Sequence, residues 1–250
     1  MPGRFKGYEA RDYEAYPSFS GYPEWSSGYL PRSEWKDRID YLNSIKGQPI
    51  YWHKKRCKIK NQKSTNYCWA FGTVSAVETA YAMSGIAGLE LNAHAVAYRG
   101  KRGRNRGGFG LECCKLIQEA GIPETKDLPE FTRALSWSSE LQKEASKHRL
   151  HEFEELPRED SFEAVVSALI GNNPSPTTVA FSWWRHLVVA LGVAVTKKSQ
   201  FGLIVANSWG TNWSLGGETG GYGIIWDKEG KADPFEAIAI KGVKAVRENQ

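Results

Sequence analysis

Residues 69–83 read Trp-Ala-Phe-Gly-Thr-Val-Ser-Ala-Val-Glu-Thr-Ala-Tyr-Ala-Met, contain no proline and stop at Ser84-Gly85. Alanine and valine recur on every side of this run, so it predicts a helix buried around most of its circumference, with a glycine just past its end. A chain with such a helix must wrap its other elements around it. Upstream lies the polar, turn-rich run Lys60-Asn61-Gln62-Lys63-Ser64-Thr65-Asn66-Tyr67, which meets the helix at Cys68. That places a thiol in the first turn, where unpaired backbone N–H groups and the helix dipole favour a thiolate. Six residues before it, Gln62 offers an amide of the kind that holds an oxyanion. A lone cysteine before an apolar run is equally a small buried hydrophobe. The choice depends on whether the chain also supplies a base and a group to orient it.

The C-terminal half supplies both. Trp183-Trp184-Arg185-His186 precedes the apolar run Leu187–Val195, which puts His186 at the mouth of a strand. A second apolar run, Phe201–Ala206, delivers Asn207-Ser208-Trp209-Gly210-Thr211-Asn212-Trp213. An imidazole serves as a base only when its other nitrogen is held in the correct tautomer, and Asn207 can do this. The indole of Trp209 can shield that hydrogen bond from water. Nucleophile, base and orienter come from separated parts of the chain, as expected of a site assembled by folding.

With these blocks in order, the chain resembles the papain-like cysteine peptidases. Lys60-Asn61-Gln62 and Cys68-Trp69-Ala70-Phe71 match that family's nucleophile block, His186 through Gly192 its histidine block, and Asn207 to Trp213 with Gly221-Tyr222 its asparagine block. Gly107-Gly108, before the helix expected at Leu111–Ala120 and Gly121-Ile122-Pro123, resembles the family's substrate-loop glycine pair. The resemblance implies an α+β fold, with a helical subdomain packed on an antiparallel, barrel-like β subdomain and the active site in the cleft between them. It implies Cys68, His186, Asn207 and Gln62 as catalytic residues. Substrate contacts are expected from Gly107, Gly108, Tyr67, Arg185 and Trp209. Departures accompany the matches. The family's disulfide is replaced by Thr65 and Asn105, and Asn66-Tyr67 stand where glycine and serine are usual. The family's long excursion before the histidine is absent, because Thr177–Ser182 runs almost directly into Trp183.

Three segments follow from this reading: an aromatic-rich extension over 1–47, a helical subdomain over 48–148, and a β-rich subdomain over 149–250. Residues 1–29 hold no leucine, isoleucine or valine but carry eight aromatic side chains, so they cannot build a core of their own. They read as a tail, or as an arm that docks on a protein partner or on the chain itself. A short helix is expected from Ser33 as N-cap through Trp35 to Ile45, and another from Ser161 to Ile170. Strands are expected at 149–156, 177–183, 186–195, 201–207, 221–227 and 236–243.

The 250 residues suffice for one sizeable globular unit. No stretch of about 18 apolar residues and no secretory h-region is seen, so neither membrane association nor export is expected. The four cysteines, Cys57, Cys68, Cys113 and Cys114, form no disulfide framework or zinc spacing. A cytoplasmic or other reducing compartment is therefore expected, with no metal or cofactor. The loop 99–106 carries five cations and no acid in a chain of net charge +5. It reads as a solvated loop, as a preference for acidic substrate residues or, less favoured, as a nucleic-acid contact. His53, His94, His148 and His151 sit in no motif.

The implied chemistry is acyl transfer. A Cys68 thiolate paired with a His186 imidazolium attacks a peptide carbonyl, and Gln62 and the Cys68 N–H hold the oxyanion at ~3 kcal/mol per donor. His186 protonates the leaving amine, and water hydrolyses the thioester. The partner is then a peptide or protein substrate. Acyl transfer to an amine, isopeptide cleavage, and a structural or binding module in a bacterial or viral assembly remain open alternatives.

Overall fold

The computed structural model describes residues 28–45 and 57–243. The expected buried helix is α2 (Cys68–Met83), and every residue from Cys68 to Ala82 is buried. Before it comes α1 (Trp35–Ser44). After it follow α3 (Ala93–Gly100), α4 (Gly110–Ala120), the short α5 (Ser139–Ala145) and α6 (Ser161–Ile170). The strands are β1 (Leu150–Glu155), β2 (Thr177–Phe181), β3 (His186–Val195), β4 (Phe201–Ala206), β5 (Tyr222–Trp226) and β6 (Glu236–Val243). They form one antiparallel sheet in the order β1-β6-β2-β3-β4-β5.

Alternation along the strands divides the core in two. Leu187, Val189 and Leu191 of β3, with Ile238 and Ile240 of β6, face α2 and α4. Val188 and Ala190 of β3, Leu203 and Val205 of β4, and Ala237 and Ala239 of β6 face α1 and α6. The alternation in β3 breaks after Leu191, where the register with β4 shifts between Ala190 and Gly192. An extra residue on one strand has this effect.

Helix α1 departs from the sequence reading. Trp35, Ile39 and Leu42 are almost wholly buried, and the Trp35 ring meets Phe162 and Phe201 edge-on at 5.8 and 5.1 Å. Arg38 donates through Nε and Nη2 to the carbonyls of Ile170 and Gly171, satisfying the C-terminal end of α6. Residues 30–44 therefore belong to the core of the β-rich half. The aromatic arm over 1–27 lies outside the described residues, as does His53. Among the described residues no helix is long and apolar enough to cross a membrane.

Helix starts also differ from expectation. Glu34 and Asp160, not Ser33 and Ser161, occupy the N-cap positions of α1 and α6, and neither makes a side-chain cap hydrogen bond. By contrast, the short α5 does have a serine cap, Ser138 accepting from Leu141 N, before the chain enters β1.

Candidate active site

Strand pairing places the base beside its orienter. The Val189↔Ala206 register between β3 and β4, extended toward the strand ends, sets His186 opposite Trp209 and close to Asn207. His186 Nε2 lies 2.7 Å from Asn207 Oδ1, and the same oxygen accepts Ser208 N–H at 2.7 Å. A backbone N–H only donates, so this atom of the Asn207 amide is the oxygen, and His186 must carry its proton on Nε2. Nδ1 is then the basic lone pair. It is buried and has no hydrogen-bond partner.

The nucleophile loop is laced to the same strand end. Asn61 and Trp209 form a bridge, Gln62 N donates to Ser208 O at 2.8 Å, and Gly210 N donates to Lys60 O at 3.0 Å. Ser208 Oγ donates to Gln62 Oε1 at 2.6 Å. Cys68 opens α2 and its thiol is hydrogen-bonded by the backbone of Leu187, the residue after His186. Cys68, His186, Asn207 and Gln62 are thus assembled from three chain segments. Gln62 Nε2 donates to Thr65 O at 2.7 Å, which engages one of its two N–H groups.

Below the loop, Lys60 Nζ pairs with Glu78 Oε1 at 2.8 Å and donates to Leu91 O at 2.9 Å, while Leu91 N donates to the same carboxylate. This buried pair ties the loop to α2 and to the approach to α3. Neither Ser208 nor the Lys60–Glu78 pair was given a role in the sequence reading. Ser208 stood in view inside Asn207-Ser208-Trp209, whereas Glu78 gave no signal beyond being the one charge in an apolar helix.

Two expectations meet opposition in the structure. The first is the thiolate–imidazolium pair. Cys68 and His186 are both 0% exposed. Burial pushes the Cys68 thiol up to about 12, against opposing hydrogen bonds from the backbone of Leu187, Trp69 and Cys68 itself. Burial likewise drives His186 down to about 4, opposed by the hydrogen bond with Asn207. In this closed site desolvation outweighs the helix terminus and disfavours the charged form of each group taken singly, the Cys68 thiolate and the His186 imidazolium.

The second is Tyr67, which does not line a substrate pocket. It is 2% exposed, its hydroxyl donates to Arg104 O at 3.0 Å, and its ring meets Trp69 and His94 edge-on. Of the other expected substrate contacts, Gly107 and Gly108 are buried, and a Cβ on Gly108 would come within 2.8 Å of the Trp69 ring. Arg185 is exposed at the β2–β3 turn, and Trp209 covers the imidazole with ring centroids 4.5 Å apart.

Where the family carries a disulfide, the two loops are joined by amides. Asn105 Oδ1 accepts Asn66 N–H at 2.6 Å, and Asn66 Nδ2 donates to Asn105 O at 3.3 Å. All four cysteines are free thiols, and Cys113 and Cys114 sit in the core. The basic loop is partly spent on the fold. Arg99 lies over the Trp137 ring at 4.5 Å and Lys101 pairs with Glu112 at 2.7 Å, while Arg102, Arg104 and Arg106 face solvent. His94 and His148 are buried packing residues. Among the described residues no group of three or more His, Cys, Asp or Glu side chains is placed to hold a metal ion.

Comparison with known proteins gives the family and the fold. The family model described as papain family cysteine protease matches residues 48–185, more than half of the chain. A cysteine proteinase of Theileria parva is 26% identical over 192 residues, a match covering 70% of this chain and 43% of that protein's length. The fold is similar to digestive procathepsin L 3 of the Tenebrio molitor larval midgut, with TM-score 0.62, 18% identity, and coverage of 84% of this chain and 81% of that one. It is also similar to the bromelain protease of Ananas comosus solved with the E64 inhibitor, with TM-score 0.58, 20% identity, and coverage of 74% and 94%. The family match ends at Arg185, before His186 and Asn207.

Proposed function

The chain belongs to the papain family of cysteine proteases, and on that premise we propose that it hydrolyses peptide bonds through a thioester on Cys68. The observation that carries this reading is the fixed tautomer of His186. Its Nε2–H is committed to Asn207, and its Nδ1 lone pair is left free on the imidazole beside the thiol's hydrogen-bond partner, Leu187.

The steps follow from those protons. As substrate enters, Nδ1 takes the Cys68 proton while the sulfur attacks the peptide carbonyl. Pairing the resulting charges offsets the desolvation that disfavours each charge taken singly. The Cys68 N–H and the second N–H of Gln62 stabilise the oxyanion, with Ser208 holding the Gln62 amide in place through Oε1. The imidazolium gives its proton to the leaving amine as the oxyanion collapses, so the peptide carbon–nitrogen bond breaks and the carbonyl re-forms as a thioester. Water, deprotonated by the same Nδ1, then releases the acid and restores the thiol.

The buried resting site favours a second reading, a papain-like module whose main task is binding within an assembly. Cleavage of a mixed peptide library separates the two. The peptidase reading expects cleavage by the wild type and at least a 1000-fold loss in Cys68→Ala, since removing a nucleophile typically costs on that order or more. Equal, background cleavage by both proteins contradicts it.

A further inference from the structure

Strands β2 and β3 are joined by the four-residue turn Ser182–Arg185, closed by the Phe181↔His186 pair. Trp184 N donates to Phe181 O and Arg185 N to Ser182 O, both at 3.2 Å, and Arg185 takes the left-handed conformation at φ 51°. Such a turn is ordinarily polar. This one carries two tryptophans. The Trp184 ring stacks on Trp183 at 5.6 Å and 9°, and on Trp213 at 5.9 Å and 23°, and it lies 4.8 Å from the His186 imidazole. Trp183 is pinned by its Nε1–H donating to Lys231 O at 3.1 Å, yet 52% of it faces solvent.

Trp184 is covered by the stack and shelters the base, which a packing role explains. Packing against Trp184 and, at 5.8 Å, against Phe181 explains the inner part of Trp183 but not its exposed remainder, a large aromatic surface held rigid at the open end of the stack. A fixed exposed indole is a platform for another apolar ring, at little cost in conformational entropy. Its place in the reaction follows from the proton path. His186 hands its proton to the leaving amine, so the residues flanking the imidazole line the side of the substrate that departs as that amine.

We infer that Trp183 is a specificity-determining residue that receives an aromatic side chain from the first or second residue after the scissile bond. The inference deepens the peptidase reading and rests on it for the naming of that side.

The test uses peptides identical up to the scissile bond and carrying Phe, Ala or Glu at each of the two positions after it. The wild type is expected to favour Phe at one of these positions by roughly tenfold in kcat/KM, the scale of one added aromatic contact with its buried area. Trp183→Ala brings the three peptides within about twofold of each other, and Trp183→Phe keeps the preference, while iodoacetamide labels Cys68 equally fast in all three proteins. No preference in the wild type, a preference that survives Trp183→Ala, or a uniform loss of cleavage and labelling overturns the inference. A binding arm separates it from the peptidase reading. In the Cys68→Ala protein, Phe-Ala-amide should shift the Trp183 indole N–H resonance and Ala-Ala-amide should not. That shift, seen without Cys68-dependent cleavage, sinks the peptidase reading and leaves the platform standing. Its absence overturns the platform.

Discussion

Asn207 Oδ1 accepts two hydrogen bonds, and this double role fixes the tautomer of His186, while burial decides what the ring does with acid. The ring is held neutral with its proton on Nε2, and burial keeps it so down to about pH 4. An unfolded histidine titrates near 6.5. Between those values the unfolded chain binds a proton that the folded chain refuses. Stability is therefore whole above pH 6.5 and falls as the pH drops toward 4, by up to about 3 kcal/mol. The difference in urea midpoint between pH 7 and pH 4.5 measures this. His186→Gln, which cannot titrate, should show a smaller acid loss than the wild type. Equal losses in both proteins contradict the assignment, because the lowered His94 and His148 contribute alike to both.

At the scale of elements, the loops on either side of the nucleophile are joined by the amides of Asn66 and Asn105. Asn105→Ala removes the acceptor for Asn66 N–H and should cost about 1 kcal/mol, as one partly exposed hydrogen bond does. It should also slow alkylation of Cys68 severalfold, because Tyr67 and Cys68 directly follow Asn66. Asn105→Asp, which keeps the acceptor, should restore the alkylation rate; failure of that rescue removes Asn105 from any positioning role.

These elements also show what the sequence made legible. Helix α2 was plain because apolar residues on all its sides leave no other home than the core. The strands were plain because each is a short apolar run bounded by turn residues. Helix starts were not: α1 begins after Glu34 and α6 after Asp160, a residue at φ 51°, and neither makes a side-chain cap. Local side-chain chemistry named Ser33 and Ser161 there, and tertiary packing chose otherwise. Within the site, motif spacing named the four reacting side chains. It was silent on the burial that disfavours the charged forms of Cys68 and His186, since burial is a property of the assembled fold. Tyr67 was misread for a related reason, because its partner Arg104 lies 37 residues away.

Across the whole molecule, the two halves are joined by more than the catalytic groups. Glu236 of β6 reaches across to the start of α4, accepting Gly110 N–H at 2.9 Å and Leu111 N–H at 3.3 Å, so a buried carboxylate meets a helix N-terminus. Helix α1 clasps the far face of the sheet through Trp35, which is 0% exposed. Trp35→Ala should destabilise the protein by about 3–5 kcal/mol, the range for emptying a buried aromatic site. A detachable tail would instead leave the thermal or urea midpoint unchanged.

The central claim is that Cys68, His186 and Asn207 act as one nucleophilic unit despite their burial. Labelling with a peptidyl epoxide at neutral pH, followed by mass-spectrometric mapping, tests it most directly. The wild type should be modified at Cys68 alone, much faster than a free thiol, with His186→Gln slow and Cys68→Ala unlabelled. Modification of Cys57, Cys113 or Cys114 in preference to Cys68, or a Cys68 rate indifferent to His186→Gln, contradicts it.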